Sequence, residues 1–307
     1  MKFRILFAAA MMVASSGAVV TGLVGTTGIA SAHPYNGWPM SYTCTGGDFQ
    51  TGTFVPIPSG TYANITVAGA CQTAPNTVIT VLGDVNVAAG AVLDAQSYPS
   101  TITVGHDVTA GPGSLLGLGC LPDPSTIGPT GQPSTTGHPC TDPLTGKPSE
   151  TAGHSNITVN GNIFAWSANA VLLNGITVNG NVTLIGSEGT ATATERATAI
   201  PWAIKTNTIG GNLVIADMTP IWLGLLVNHV DGNVFLFNIH ITDGLPTNPP
   251  TPPQDVDTTP TIFVASNTIG LNLGCWGLGP YLSGGFGGEV NTVGGQAFGQ
   301  CANLPDE

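Results

Sequence analysis

Asp84 and Asp107 are the residues of this 307-residue chain whose type and spacing could do chemistry. Both fill the fourth position of a recurring phrase, [Val/Ile]-x-Gly-[Asn/Asp]-[Val/Ile/Leu], as Val81-Leu-Gly-Asp-Val85 and Val104-Gly-His-Asp-Val108. If the two phrases lie on neighbouring turns of a stack, the carboxylates sit about one strand spacing, ~4.8 Å, apart. Two charges at that distance repel by about 1 kcal/mol in water, and by more when half-buried. A shared proton or a bound cation such as Ca²⁺ would relieve the repulsion. That makes Asp84 and Asp107 the candidate metal site and the place where acid–base chemistry could reside. The plainer expectation is that both turn outward and accept backbone N–H groups, since later copies of the phrase carry Asn in the same slot. His106 beside them is expected to be a solvated corner residue. No cofactor other than Ca²⁺ is implied.

The elements that would position these residues follow from the rest of the series. The phrase returns as Val159-Asn-Gly-Asn-Ile163, Val178-Asn-Gly-Asn-Val182, Ile209-Gly-Gly-Asn-Leu213, Val230-Asp-Gly-Asn-Val234 and Ile269-Gly-Leu-Asn-Leu273. The copies ending at Val108 and Leu273 lack Gly before the Asp/Asn. Recurrence of this kind marks a solenoid. In the cleanest copy, residues 176–184, apolar side chains fall at 176, 178, 182 and 184, with period two on both sides of Asn-Gly-Asn. Two short strands then share one inward face, and the polar corner turns the chain between them. The slot residues step by 23, 55, 19, 31, 21 and 39. The short steps suit one coil of a three-sided parallel β-helix, right-handed by the general preference of parallel crossovers. The long steps are a coil plus an insertion. Asparagines one strand spacing apart can bond along the axis as a ladder, a structural role rather than a catalytic one.

The expected organisation is an export signal over residues 1–32, an N-terminal cap over 33–59, a β-helix over 60–273 and a C-terminal cap over 274–307. Inserts are expected near 111–153, 186–202 and 243–260, which are rich in Gly, Pro, Ser and Thr. Further coils are expected at Ile65-Thr-Val67 and at Asn291-Thr-Val-Gly-Gly295. Lys2 and Arg4, an apolar run, and Ala30-Ser-Ala32 make the signal, so the mature chain is expected outside the cytoplasmic membrane with no later span. Removing Lys2 and Arg4 takes the formal charge from −12 to −14. A chain so acidic excludes a nucleic-acid partner, which needs clustered Lys and Arg, and disfavours anionic polymers unless a cation bridges them. Cys44, Cys71, Cys120, Cys140, Cys275 and Cys301 are an even set in an exported chain and imply disulfides. Six cysteines allow 15 pairings. The sequential set Cys44–Cys71, Cys120–Cys140 and Cys275–Cys301 is the expectation, with the first and last pinning the caps. No ligand spacing supports zinc.

The opening Gly60-Thr-Tyr-Ala-Asn-Ile-Thr-Val67 through Cys71, the Gly-[Asn/Asp] coils, and the closing Asn291-Thr-Val-Gly-Gly295 with Gly299-Gln-Cys301 resemble a group of exported right-handed parallel β-helix proteins of actinobacteria. More loosely, the coils resemble the pectin-lyase-like superfamily. The first resemblance implies fold and location, and brings no activity and no catalytic residues to transfer. The second raises a carbohydrate-active enzyme. Lyase chemistry needs a cationic base with bound Ca²⁺, and Lys147, Arg196 and Lys205 all lie in or beside inserts. Hydrolase chemistry needs clustered aspartates and a Gly-His-Gly loop. Gly105-His106-Asp107, Gly137-His138-Pro139 and Gly153-His154-Ser155 do not match it.

Trp202, Trp222, Trp276, Tyr281 and Phe286 could stack on sugar rings, although covering the core beneath a loop is the expectation. The abundant threonines, among them Thr101-Ile-Thr103 and residues 190–194, are expected not to hold register across coils, so the hydroxyl columns of ice-binding solenoids are not expected. These residues together predict an exported or cell-surface, non-enzymatic β-helix with a structural or binding role and cell-surface polysaccharide as candidate partner. The competing reading is a carbohydrate-active lyase or hydrolase.

Overall fold

The computed structural model describes residues 38–121, 140, 154–186, 202–220, 223–241, 261–284 and 290–304. The export signal, most of the three inserts, Lys147, Arg196, Trp222 and Phe286 lie outside the described residues. Every described residue lies within one compact unit, 34–307.

Among the described residues, twenty-eight short strands pass through three parallel sheets in strict rotation, from Tyr42–Cys44 to Ala297–Gly299. The first sheet has ten strands, and the second and third have nine each. This is a parallel β-helix. Each coil is one strand from each sheet, and each strand pairs with its counterpart one coil on. Among the described residues the only helical segment is a 3-10 turn at Gln300–Asn303, and no helix is long and apolar enough to cross a membrane.

Alternation builds the first and third sheets. In Ile163–Trp166, Ile163 and Ala165 are buried while Phe164 and Trp166 are exposed. The inward residues stack as columns: Val85, Val108, Ile163, Val182, Leu213, Val234 and Leu273 align strand by strand into one continuous core. The second sheet is different. Leu115–Leu118 and Ala170–Asn174 are buried on both faces. Its outward side carries its own apolar cluster, Ala70, Val92, Leu115, Ala170, Leu172 and Ala203, with Phe49 and Phe54 packed on it.

The recurring phrase is the corner between the third and first sheets. Its glycine is a matter of close approach. A Cβ at Gly180 would stand 2.5 Å from the Gly161 carbonyl oxygen and 2.6 Å from Asn162 Oδ1. The two copies without that glycine solve the same problem one residue earlier. Gly105 and Gly270 lie hard against the Leu82 and Asp231 carbonyls, and His106 and Leu271 swing out to solvent.

The stack reaches further than the phrase at both ends. Tyr42–Cys44 and Val55–Ile57 pair with the next coil inside the segment read as an N-terminal cap. Leu273–Gly279, Tyr281–Ser283, Thr292–Val293 and Ala297–Gly299 continue the sheets through the segment read as a C-terminal cap. Those strands use other corner residues, so they carry no phrase. The bridges Cys44–Cys71, Cys120–Cys140 and Cys275–Cys301 are all present. At one end of the stack the first ties a first-sheet strand to the second sheet, and at the other the last ties a first-sheet strand to the 3-10 turn.

Candidate functional site

The structure brings Asp84 and Asp107 together on adjacent coils. Each is a half-buried rung of a polar ladder. Asp84 Oδ1 accepts the Asp107 backbone N–H at 3.1 Å, and Asp107 Oδ1 accepts the Asn162 backbone N–H at 2.7 Å and its Nδ2 at 3.0 Å. The same bond joins Asn162, Asn181, Asn212, Asn233 and Asn272 in turn, with Asn64 and Gln296 at its ends. The two carboxylates therefore do in their coils what Asn does in the others. Among the described residues no three His, Cys, Asp or Glu side chains gather as a metal-holding group. His106 is exposed on the neighbouring corner, and Lys205 sits on the second sheet.

A second ladder, not read in the sequence, occupies the corner between the second and third sheets. Asn207, Asn228 and Asn267 are buried. Asn207 donates its backbone N–H and Nδ2 to Asn228 Oδ1, Asn228 donates both to Asn267 Oδ1, and Asn267 donates both to Asn291 Oδ1. The residue before each of the first three, Thr206, Val227 or Ser266, has φ of +59°, +57° or +55°, which turns the next amide inward.

The sequence reading also passed over Asp94, the most deeply buried acid. It lies on Val92–Ala95 of the second sheet and is fully buried. The Gln72 side-chain amide donates to its Oδ2, and the Gln96 and Ser97 backbone N–H groups donate to its Oδ1 at 3.1 and 3.0 Å. Desolvation still outweighs these bonds and lifts the carboxyl above its ordinary range. A lone acid inside the apolar run Val92-Leu-Asp-Ala95 was the available signal.

Two outward faces are ordered. On the third sheet Thr61, Thr80, Thr103, Thr158, Thr177 and Thr208 align strand by strand, followed by His229, Thr268 and Thr292. The threonines do hold register, contrary to expectation. Insertions between coils disguise a column whose members, from Thr80 on, sit four residues before each ladder slot. His229 is its one interruption and meets Asp231 at 3.0 Å in solvent.

The first sheet presents an aromatic ribbon. One outward column runs Phe164, Thr183, Val214, Phe235, Gly274, Phe298, and the next runs Trp166, Ile185, Ala216, Phe237, Trp276. Phe164, Trp166, Phe237, Trp276 and Phe298 are 43, 56, 36, 41 and 40% exposed. Phe237 and Trp276 stack with centroids 5.0 Å apart and planes 7° from parallel, and Phe235 lies 5.8 Å from Phe237. Gly274 makes this possible, because the Trp276 six-membered ring occupies the place its Cβ would take. Of the aromatics named from sequence, Trp276 belongs to this ribbon, Tyr281 stands exposed on the second sheet, and Trp202 begins a second-sheet strand. Phe164, Trp166, Phe237 and Phe298 were missed. Their signal was an aromatic at an outward parity position two or four residues after a slot.

Comparison with protein-family models, with curated proteins and with solved structures returned no match for this chain.

Proposed function

We propose that the protein is an exported β-helix that binds at or outside the cell surface without doing chemistry, and that its first-sheet face docks on surface polysaccharide. The observation that carries this is the row of five exposed rings on one sheet face. A soluble chain seldom leaves so much aromatic surface in one patch unless it is used, and rings of this kind bind sugar C–H faces. Export by residues 1–32 is part of the proposal and is supported by three disulfides. So is the likeness of the coils to actinobacterial and pectin-lyase-like solenoids, which rests on the coil residues quoted above. Co-sedimentation with insoluble polysaccharides tests it: the protein should pellet with at least one of them, and Trp166→Ala with Trp276→Ala should remain in the supernatant. The competing lyase or hydrolase reading requires instead that the polymer be shortened and that Asp107→Asn stop this.

The threonine column favours a second reading, in which the third-sheet face binds ice. Eight threonines in one column, interrupted at His229, offer hydroxyls and methyls as a ruled array. Thermal hysteresis in the wild type, lost on Thr158→Tyr, is the result this reading requires.

A further inference from the structure

We infer that the ligand of the first-sheet face is a single extended, uncharged glycan chain that runs along the stack, across the strands, and touches two separate aromatic clusters. This rests on the binding reading above and specifies its ligand.

The direction follows from the register. Along any one strand the face offers at most two outward Phe or Trp side chains, such as Phe164 and Trp166 or Phe235 and Phe237, and the longer strand Val234–His240 goes on to the polar Asn238 and His240. Across the strands it offers at least one apolar side chain on each of six consecutive coils, from Phe164 to Phe298. Five strand spacings make that track about 24 Å long, and two residues along a strand make it about 7 Å wide. A footprint of roughly 200 Å² is far below the ~800 Å² per partner that a stable protein interface needs. It matches one polymer chain.

The charge of the ligand follows from the residues present. No outward residue in the two columns is charged, the charge beside them is the exposed carboxylate of Asp217, which follows Ala216 and accepts from Asn238, and the whole chain is strongly acidic, so a polyanion would meet repulsion. Thr43, Thr66, Asn86 and Thr109 continue the first column toward the N-terminal end as a polar, uncharged track, with Thr109 Oγ1 bonded to Asn86 Oδ1 at 2.7 Å.

The two clusters follow from height. Phe164 with Trp166 stands on one strand. Phe235, Phe237, Trp276 and Phe298 stand three to five strands further on. Between them lie the lower Thr183, Ile185, Val214 and Ala216. A chain resting on both clusters must bridge about 14 Å, or three strand spacings. A sugar unit in an extended chain advances by about one such spacing, so short oligomers reach one cluster and longer ones reach both.

Calorimetric titration with soluble β-1,4-linked glucose and N-acetylglucosamine oligomers of about two to six units tests this, with polygalacturonate as the anionic control; a chain long enough to bridge gains at least about tenfold in affinity over a short one. Trp166→Ala should abolish that gain, so that long oligomers bind no more tightly than short ones, and its unchanged melting temperature should show the fold preserved. Phe298→Ala, at the far end, should weaken short and long oligomers alike. Affinity independent of length would overturn the axial two-cluster site while polysaccharide binding stands. Preference for polygalacturonate would overturn the uncharged ligand. Failure of every polysaccharide, soluble and insoluble, with concentration-dependent dimerisation lost in Trp166→Ala, would overturn both this inference and the reading it rests on.

Discussion

Asn181 gives both its backbone N–H and its side-chain Nδ2 to a single oxygen, Asn162 Oδ1, at 2.9 and 3.0 Å. Each Asn rung thus both receives and donates along the axis. An aspartate can receive and can pass on its backbone N–H, but it has no side-chain N–H to add. Asp84 and Asp107 are the two places where the ladder loses its side-chain donor, and there a carboxylate faces a carboxylate.

Asp107→Asn is therefore expected to restore the missing donor to Asp84 Oδ1 and to remove a like-charge contact. The gain should be about 1 kcal/mol, the worth of one such hydrogen bond, seen as a rise of a few degrees in melting temperature. Ca²⁺ should leave the wild-type melting temperature unchanged. A Ca²⁺-dependent rise that disappears in the variant would instead assign a cation to the pair.

Asn228→Ala should cost much more than Asn212→Ala. The Asn228 amide is buried, takes two N–H groups from Asn207, and donates to Ile204 O and Asn267 Oδ1. Removing it strands several buried partners at about 1–3 kcal/mol each. Asn212 serves an exposed corner where water can substitute. Denaturant unfolding of the two variants under one set of conditions measures the difference.

Asp94 should make stability fall as pH rises. Its folded carboxyl titrates above its unfolded range because burial disfavours the charge. Its contribution is fully present below the unfolded pKa and is lost as pH climbs through the raised folded value. Asp94→Asn keeps the shape and removes the titration. The melting temperature of the wild type relative to this variant should decline from acid toward neutral pH. A flat difference would show that the carboxyl is not desolvated.

The end bridges should act on the ends. Cys44–Cys71 and Cys275–Cys301 span 27 and 26 residues, a loop size worth about 3 kcal/mol. Coils contact only their neighbours, so opening Cys275–Cys301 with Cys275→Ser and Cys301→Ser should expose the last coil to protease before the middle coils. Limited proteolysis with peptide mapping reads the order of cleavage.

Much of this was legible because one corner has narrow chemical demands. The slot needs a side-chain oxygen, and in five of the seven copies the residue before it has room for little more than hydrogen, so Gly-Asn/Asp recurs visibly between Asp84 and Asn233. The buried ladder was harder to see, since Asn207, Asn228, Asn267 and Asn291 follow unlike residues and announce themselves only by standing five before a slot. The second sheet was invisible to alternation, because Leu115–Leu118 and Ala170–Asn174 are apolar on both faces. The threonine column and the aromatic ribbon were present as fixed offsets from the slot. Counting along the chain, with insertions between coils, conceals offsets that counting from the corner reveals.

The two ladders also point in opposite senses. At the Gly-Asn corner each coil offers an oxygen to the coil that follows it, whereas at the buried corner it offers N–H groups to that following coil. A coil arriving on a growing stack is thus met by an acceptor at one corner and by donors at the other. Shifted by one residue, it would satisfy neither. The pair of corners works as a keyed template, reading each new turn of chain for correct alignment before the next is laid down, so that a fold built from near-identical layers can be copied forward without slipping.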